Sequence, residues 1–196
     1  MGTRLQAIKA IGTIAGIYVC PVILIASGLV PFEWRFYVLI VMTLLAVGLA
    51  LSRHSIISLG LGLPKFWSFM GWSVLPSAIL IGAIFLADLP HRRITPDHMA
   101  FYIFFVFVSA PAQEFLYRSF LFAELAKLQV TPRATVLLST ALFGFMHVIY
   151  KDLATVLLTL TVGFIWAIVF HTTRRVSIVA VSHAALGVVA ILSGVI

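Results

Sequence analysis

Apolar residues run along this chain in long stretches, separated by short knots of proline, glycine and charge. A helix needs about 20 apolar residues to cross the hydrocarbon core of a bilayer. Seven stretches meet or approach that length: about Ala7–Val30, Phe36–Leu51, Phe66–Leu89, Met99–Ala126, Ala134–Tyr150, Leu153–His171 and Val176–Ile196. The second and fifth are short and suit little tilt or a locally thin bilayer. The expected fold is all-α, a polytopic transmembrane helical bundle of about seven spans. With so little chain between spans, and no internal repeat or low-complexity linker, residues 1–196 read as a single integral membrane domain.

The connections carry turn chemistry. Pro31-Phe32-Glu33 closes the first span, and Gly60-Leu61-Gly62-Leu63-Pro64 precedes the third. Leu89-Pro90-His91-Arg92-Arg93 ends the third span. Thr131-Pro132-Arg133 opens the fifth, with Thr131 as N-cap and Pro132 at the first helical position.

Composition agrees: 62% of residues are hydrophobic and 10% charged, against about 25% charge in a soluble domain. The net charge of +7 would suit nucleic acid in a soluble protein. Here the basic residues stand singly or in pairs between spans, so lipid head groups and topology account for them and no nucleic-acid partner is expected. Arg4, Lys9, Arg53, Lys65, Lys127, Arg133, Arg174 and Arg175 fall on one side, and Arg35, Arg92, Arg93 and Lys151 on the other. The eight-residue side is expected to be cytoplasmic, with the N-terminus inside and the C-terminus outside. Arg4 and Lys9 precede a first apolar run that is long enough to span and has no A-x-A site after it, so it reads as a retained helix. The one cysteine, Cys20, excludes a disulfide within the chain.

Glu114, Arg118, His147 and His183 lie well inside these spans, at a cost of roughly 3 kcal/mol or more each. Glu114 and Arg118 are four residues apart and share a helix face, so each offsets the other's charge. The pair alone also suits packing inside a bundle. Pro111 is expected to bend the helix or free a carbonyl. Gln113 points about 100° away from Glu114, and alone would pass as an interhelical hydrogen-bonding residue. In the fifth span Phe143 and His147 share a face, and Gly144 permits a close neighbour. His147, three residues from Tyr150, also suits an interfacial position. His183 sits among small residues in the last span and also suits a structural role. At about 1.5 Å per residue, Glu114 and His147 lie about 20 Å from the same membrane side, and His183 about 12 Å. Tilt or a different helix start must close the remaining roughly 8 Å.

The order Gln113-Glu114-Phe115-Leu116-Tyr117-Arg118, then Phe143-Gly144-Phe145-Met146-His147, then His183-Ala184-Ala185-Leu186-Gly187 resembles the CAAX protease and bacteriocin-processing family. These are intramembrane glutamic endopeptidases that include the type II CAAX prenyl proteases. The family pattern is Glu-Glu-x-x-x-Arg, Phe-x-x-x-His and His-x-x-x-Asn. The segment Ser139-Thr140-Ala141-Leu142 and the turn Leu59-Gly60-Leu61 are also similar, and the resemblance covers about residues 55–190. It implies peptide hydrolysis within the bilayer, without a cofactor or metal. The first Glu of the family pair and the first His activate a water, the second His and the Asn stabilise the oxyanion, and the second Glu and the Arg hold the site or the substrate. Carried over, Gln113, Glu114, His147 and His183 are the catalytic set, with Arg118, Phe143 and Gly187 in support. The implied partners are a membrane-associated peptide or protein, cleaved near its terminus, and the lipid bilayer. The implied setting is a prokaryotic plasma membrane. The oligomeric state is left open.

The chain departs from the pattern twice. Gln113 stands where the family has the proton-accepting Glu, and Gly187 where it has Asn. An amide cannot accept a proton as a carboxylate does. Three explanations stay open: an engineered Glu→Gln change, a natural variant in which Glu114 is the base, or a degenerate member acting as a binding or immunity protein. Two rivals come from other classes. Glu114, His147 and His183 could form a zinc site with an open position, and buried Glu, Arg and His also serve as proton relays in small transporters.

Overall fold

The computed structural model describes residues 2–86 and 98–195, with side chains from residue 7 onward. Among the described residues every regular element is a helix. Among the described residues six helices are long and apolar enough to cross a membrane: α1 Ala7–Ala26, α2 Phe32–Arg53, α3 Phe66–Leu86, α4 Met99–Lys127, α5 Pro132–Tyr150 and α6 Leu153–Thr173. A shorter apolar helix, α7 (Val176–Leu192), follows. The all-α polytopic bundle is therefore present, with two corrections. α2 has 22 residues and is not short, while the short helix is α7, with 17. The turn Leu89-Pro90-His91-Arg92-Arg93 and the side chain of Arg4, which enter the orientation argument, lie outside the described residues.

The ends follow local chemistry. α1 stops at Ala26, short of Val30, because Gly28 turns to a φ of 82° and the chain folds back on the last carbonyls. Thr131 caps α5 through Ala134 N, with Pro132 at the first helical position. Asp152 caps α6 by accepting from Thr155 N at 2.8 Å.

Three spans share one irregularity. α1, α3 and α4 each contain a five-residue π-helical segment ending two residues before a proline: Ala15–Val19 before Pro21, Met70–Val74 before Pro76, and Phe105–Ser109 before Pro111. A proline removes one i→i−4 bond and its ring crowds the i−4 carbonyl, and a widened turn relieves both. The expected disturbance at Pro111 thus takes the form of a π segment. A fourth such segment, Phe115–Phe120, has no proline. Its carbonyls are served from outside: Tyr18 Oη donates to Leu116 O at 2.7 Å and Ser139 Oγ to Tyr117 O at 2.8 Å. Spans α1 and α5 thus hold α4 in the widened form.

α4 runs through the centre of the bundle. From Leu116 to Leu125 every side chain is buried. α5 packs along α6, and α7 packs against α3 and α4. The outward faces are apolar, as at Leu51, Trp67, Leu86 and Phe107. The segment between α2 and α3 folds back over the start of α7. Gly60, at φ 70°, accepts from Val176 N at 3.0 Å, Ser119 Oγ donates to Leu59 O at 2.6 Å, and Arg174 Nη2 donates to Ser58 O at 3.2 Å. A Cβ at Gly60 would meet Arg174 O and the Phe170 ring at 2.9 Å, so only glycine permits this contact.

Candidate functional site

Gln113 and Glu114 are neighbours on α4 and face different surroundings. Glu114 is fully buried. Its Oε1 accepts a hydrogen bond from His183 Nδ1 at 2.8 Å, and its Oε2 stands 3.4 Å from Arg118 Nε. That second contact is an ion pair without hydrogen-bond alignment, since neither Oε2 nor Nε has a hydrogen-bond partner. Arg118 is also fully buried. Its Nη2 donates to Gly163 O on α6 at 3.1 Å, and its guanidinium lies 4.6 Å from the centroid of the Phe143 ring. The i,i+4 pair expected from the sequence is therefore part of a three-residue unit that joins α4 to α7 and braces on α5 and α6.

Phe143 is the centre of that brace. Its ring lies 5.5 Å from Tyr117, 4.9 Å from His147, 5.9 Å from Trp166 and 5.7 Å from His183, centroid to centroid. Glycines make room for it and for its helix: a Cβ at Gly163 would stand 2.8 Å from Phe143, and one at Gly144 would collide with Leu160 of α6.

Gln113 faces the other way. Its Nε2 donates to Ser109 Oγ at 3.0 Å, and its Oε1 is buried without a partner. With His147 it lines a cleft of about 70 Å³ between α1, α2, α4 and α5. Ile17, Val22 and Leu39 form part of its apolar wall. That volume admits a few waters, at about 30 Å³ each in the liquid. His147 stands where α5 tightens into the 3₁₀ turn His147–Tyr150. Its Nδ1 donates to Phe143 O at 2.8 Å, which leaves Nε2 as the basic nitrogen. Its ring stacks on Tyr150 at 5.9 Å.

His183 is buried and held flat. Trp166 stacks on it with ring centroids 4.4 Å apart and planes at 23°. The Trp166 indole donates to Ser182 Oγ at 3.0 Å, Ser182 and Ser77 hydroxyls meet at 2.8 Å, and Ser77 Oγ donates to Ser73 O at 2.6 Å. Gly187, where the resemblance would put Asn, is filled from outside: a Cβ there would collide with the Phe105 ring, which also lies 5.8 Å from His183.

The structure thus brings Glu114, Arg118 and His183 into contact, and puts Gln113 and His147 on one cleft. Phe143 touches His147, His183 and Arg118, and Gly187 is one turn below His183. For the rival zinc site, no three His, Cys, Asp or Glu side chains among the described residues converge as an ion would require. Four contributors were not singled out in the sequence: Trp166, Ser182, Ser109 and Phe105. Ser182 adjoins His183 and Ser109 lies four residues before Gln113, so polarity beside a candidate residue was a usable signal. Trp166 and Phe105 gave none in apolar spans.

This architecture defines a class: a polytopic helical membrane protein with a buried carboxylate, guanidinium and imidazole beside an intramembrane cleft. Residues 95–189 are similar to the family described as type II CAAX prenyl endopeptidase, Rce1-like. No curated protein and no solved structure matches the chain.

Proposed function

We propose that this chain is an intramembrane endopeptidase scaffold that holds a membrane-associated peptide across the mouth of the cleft at Gln113 and His147, and that the amide at 113 withholds the proton-accepting step. The observation that carries this is the division of labour between neighbours. Glu114 is bonded to His183 at one oxygen and faces Arg118 with the other, and it does not line the cleft. It acts as a positioning carboxylate. Gln113 and His147 line the cleft together, one with an unanswered Oε1, the other with a free Nε2. A water between them could attack a carbonyl only if residue 113 or His147 took its proton, and in the family type that acceptor is a carboxylate. His183, fixed by Glu114 and Trp166, is the candidate oxyanion donor through Nε2, which requires both ring nitrogens to carry protons because Nδ1 already donates to Glu114. Arg118 and Phe143 support it, and Gly187 offers no side-chain donor. The orientation goes with this reading as a proposal, with the N-terminus cytoplasmic.

The test compares cleavage of a membrane peptide by this chain and by Gln113→Glu, each with and without His147→Ala. The expected result is His147-dependent cleavage in Gln113→Glu, faster than in the parent by on the order of 10²- to 10⁴-fold, the range general base catalysis supplies. Equal, His147-dependent cleavage in both would make Glu114 or His147 alone the base. Peptide binding without cleavage in either would leave a binding protein, the reading that Gln113 itself favours next.

A further inference from the structure

Besides Gln113, Tyr117, His147 and Tyr150, Arg35 lines the cleft. It begins the regular part of α2, after the short turn Phe32–Trp34. Its guanidinium carbon lies 4.1 Å from the Phe32 ring centroid and 4.4 Å from that of Phe36. Nη1 donates to Phe32 O at 3.2 Å, and the Tyr150 hydroxyl is a neighbour. Nε is buried and has no hydrogen-bond partner. No Asp or Glu lines the cleft. Among the described residues no carboxylate stands within ion-pair distance of Arg35.

A guanidinium clamped between two rings keeps its donor fork oriented, so little side-chain freedom is lost when it binds an anion. In an apolar cleft a charge-assisted hydrogen bond to a carboxylate is short and strong. We propose that Arg35 is a specificity-determining residue that receives a carboxylate of the peptide lying across the mouth of the cleft. This rests on the peptide-cleft reading above. Ring contacts of 5.9, 5.5 and 4.1 Å lead from His147 through Tyr150 and Phe32 to Arg35. The two ends of the cleft therefore lie within roughly 16 Å, the reach of four or five extended residues. The carboxylate is either the peptide's own C-terminus or an Asp or Glu side chain, and one short peptide can offer it to Arg35 while a backbone carbonyl lies at His147.

The experiment uses the full parent chain in nanodiscs and fluorescent apolar peptides in three forms: free acid, C-terminal amide, and amide with one internal Asp. The expected result is roughly tenfold tighter binding of the free acid than of the plain amide. Arg35→Gln is expected to abolish the difference while leaving the amide's affinity unchanged, and Arg35→Lys to retain a reduced preference. Tight binding of the Asp peptide as well identifies any carboxylate as sufficient, and preference for the free acid alone identifies the C-terminus. Equal binding of acid and amide by the parent chain, or a preference that survives in Arg35→Gln, overturns the proposal and leaves the peptide cleft standing. Failure of every peptide form to bind removes the peptide cleft and this proposal together.

Discussion

Trp166 lies flat on His183, ring centroids 4.4 Å apart, while its indole N–H passes to Ser182, the residue before that histidine. One side chain thus fixes both the plane of the imidazole and the hydroxyl beside it. With Nδ1 bonded to Glu114, the ring has little rotational freedom left. Two substitutions separate the effects. Trp166→Phe keeps an aromatic face but drops the N–H, and is expected to cost about 1 kcal/mol, one neutral hydrogen bond. Trp166→Ala opens a cavity against His183 and Phe143 and is expected to cost about 3–5 kcal/mol. Unfolding midpoints in detergent, read by near-UV circular dichroism, would rank them. A ranking with Phe as costly as Ala would mean that the Ser182 bond, and not the stacking, is what the tryptophan supplies.

Gly187 and Phe105 form a coupled pair across α7 and α4. The Phe105 ring occupies the space that a side chain at 187 would need. The missing Asn of the family pattern is therefore matched by a packed aromatic. Gly187→Asn alone is expected to destabilise the chain by about 1–3 kcal/mol through overpacking. Phe105→Ala alone is expected to cost about 3–5 kcal/mol by cavity formation. In the double variant the new amide has room, so the combined cost should fall below the sum of the two by at least about 0.5 kcal/mol. Strict additivity in a double-mutant cycle would show that the two positions are energetically independent.

The spans were legible in the sequence because hydropathy over some twenty residues is a strong, local signal. The Glu114–Arg118 pair was legible from spacing, and so was the divergence of Gln113 from Glu114. The depth of His183 came out roughly 8 Å short by counting residues from Arg175. The reason is visible at Gly60: the segment before α3 folds over Arg174 and binds Val176 N. α7 therefore begins beneath a cap at Val176, and its first two turns carry His183 to Glu114. Trp166 and Phe105 stayed hidden for a different reason. An aromatic residue in an apolar span matches its surroundings, and a ring stack between helices leaves no periodicity in either one. The proline-free π segment was hidden too, since its support comes from hydroxyls 98 and 22 residues away in sequence.

Those hydroxyls lead to a further expectation. Tyr18 and Ser139 each donate one bond to adjacent carbonyls of the Phe115–Phe120 segment. Arg118 lies inside this segment, so its widened turn sets where the guanidinium meets Glu114. Tyr18→Phe and Ser139→Ala each remove a donor while keeping most of the packing. Each is expected to cost about 1 kcal/mol. Because both act on one strained turn, the pair should cost more than the sum of the two. Backbone hydrogen exchange at residues 119–122 should speed up in the double variant. Unchanged exchange there would mean that the π turn holds itself.

Glu114 and Arg118 have no solvent to fall back on, since both are fully buried. Removing one charge leaves the other stranded, whereas removing both leaves only a packing change. Glu114→Gln is therefore expected to destabilise the chain by about 3–5 kcal/mol. Arg118→Met belongs in the same range, although Glu114 would keep its bond to His183. The double variant Glu114→Gln/Arg118→Met should recover most of the loss in an unfolding experiment. In the Gln113→Glu background the same double variant should fold yet lose cleavage, because His183 would then lack a charged partner at Nδ1. Recovery of both stability and cleavage would show that the buried pair serves packing alone, and that the imidazole needs only Trp166 to hold its place.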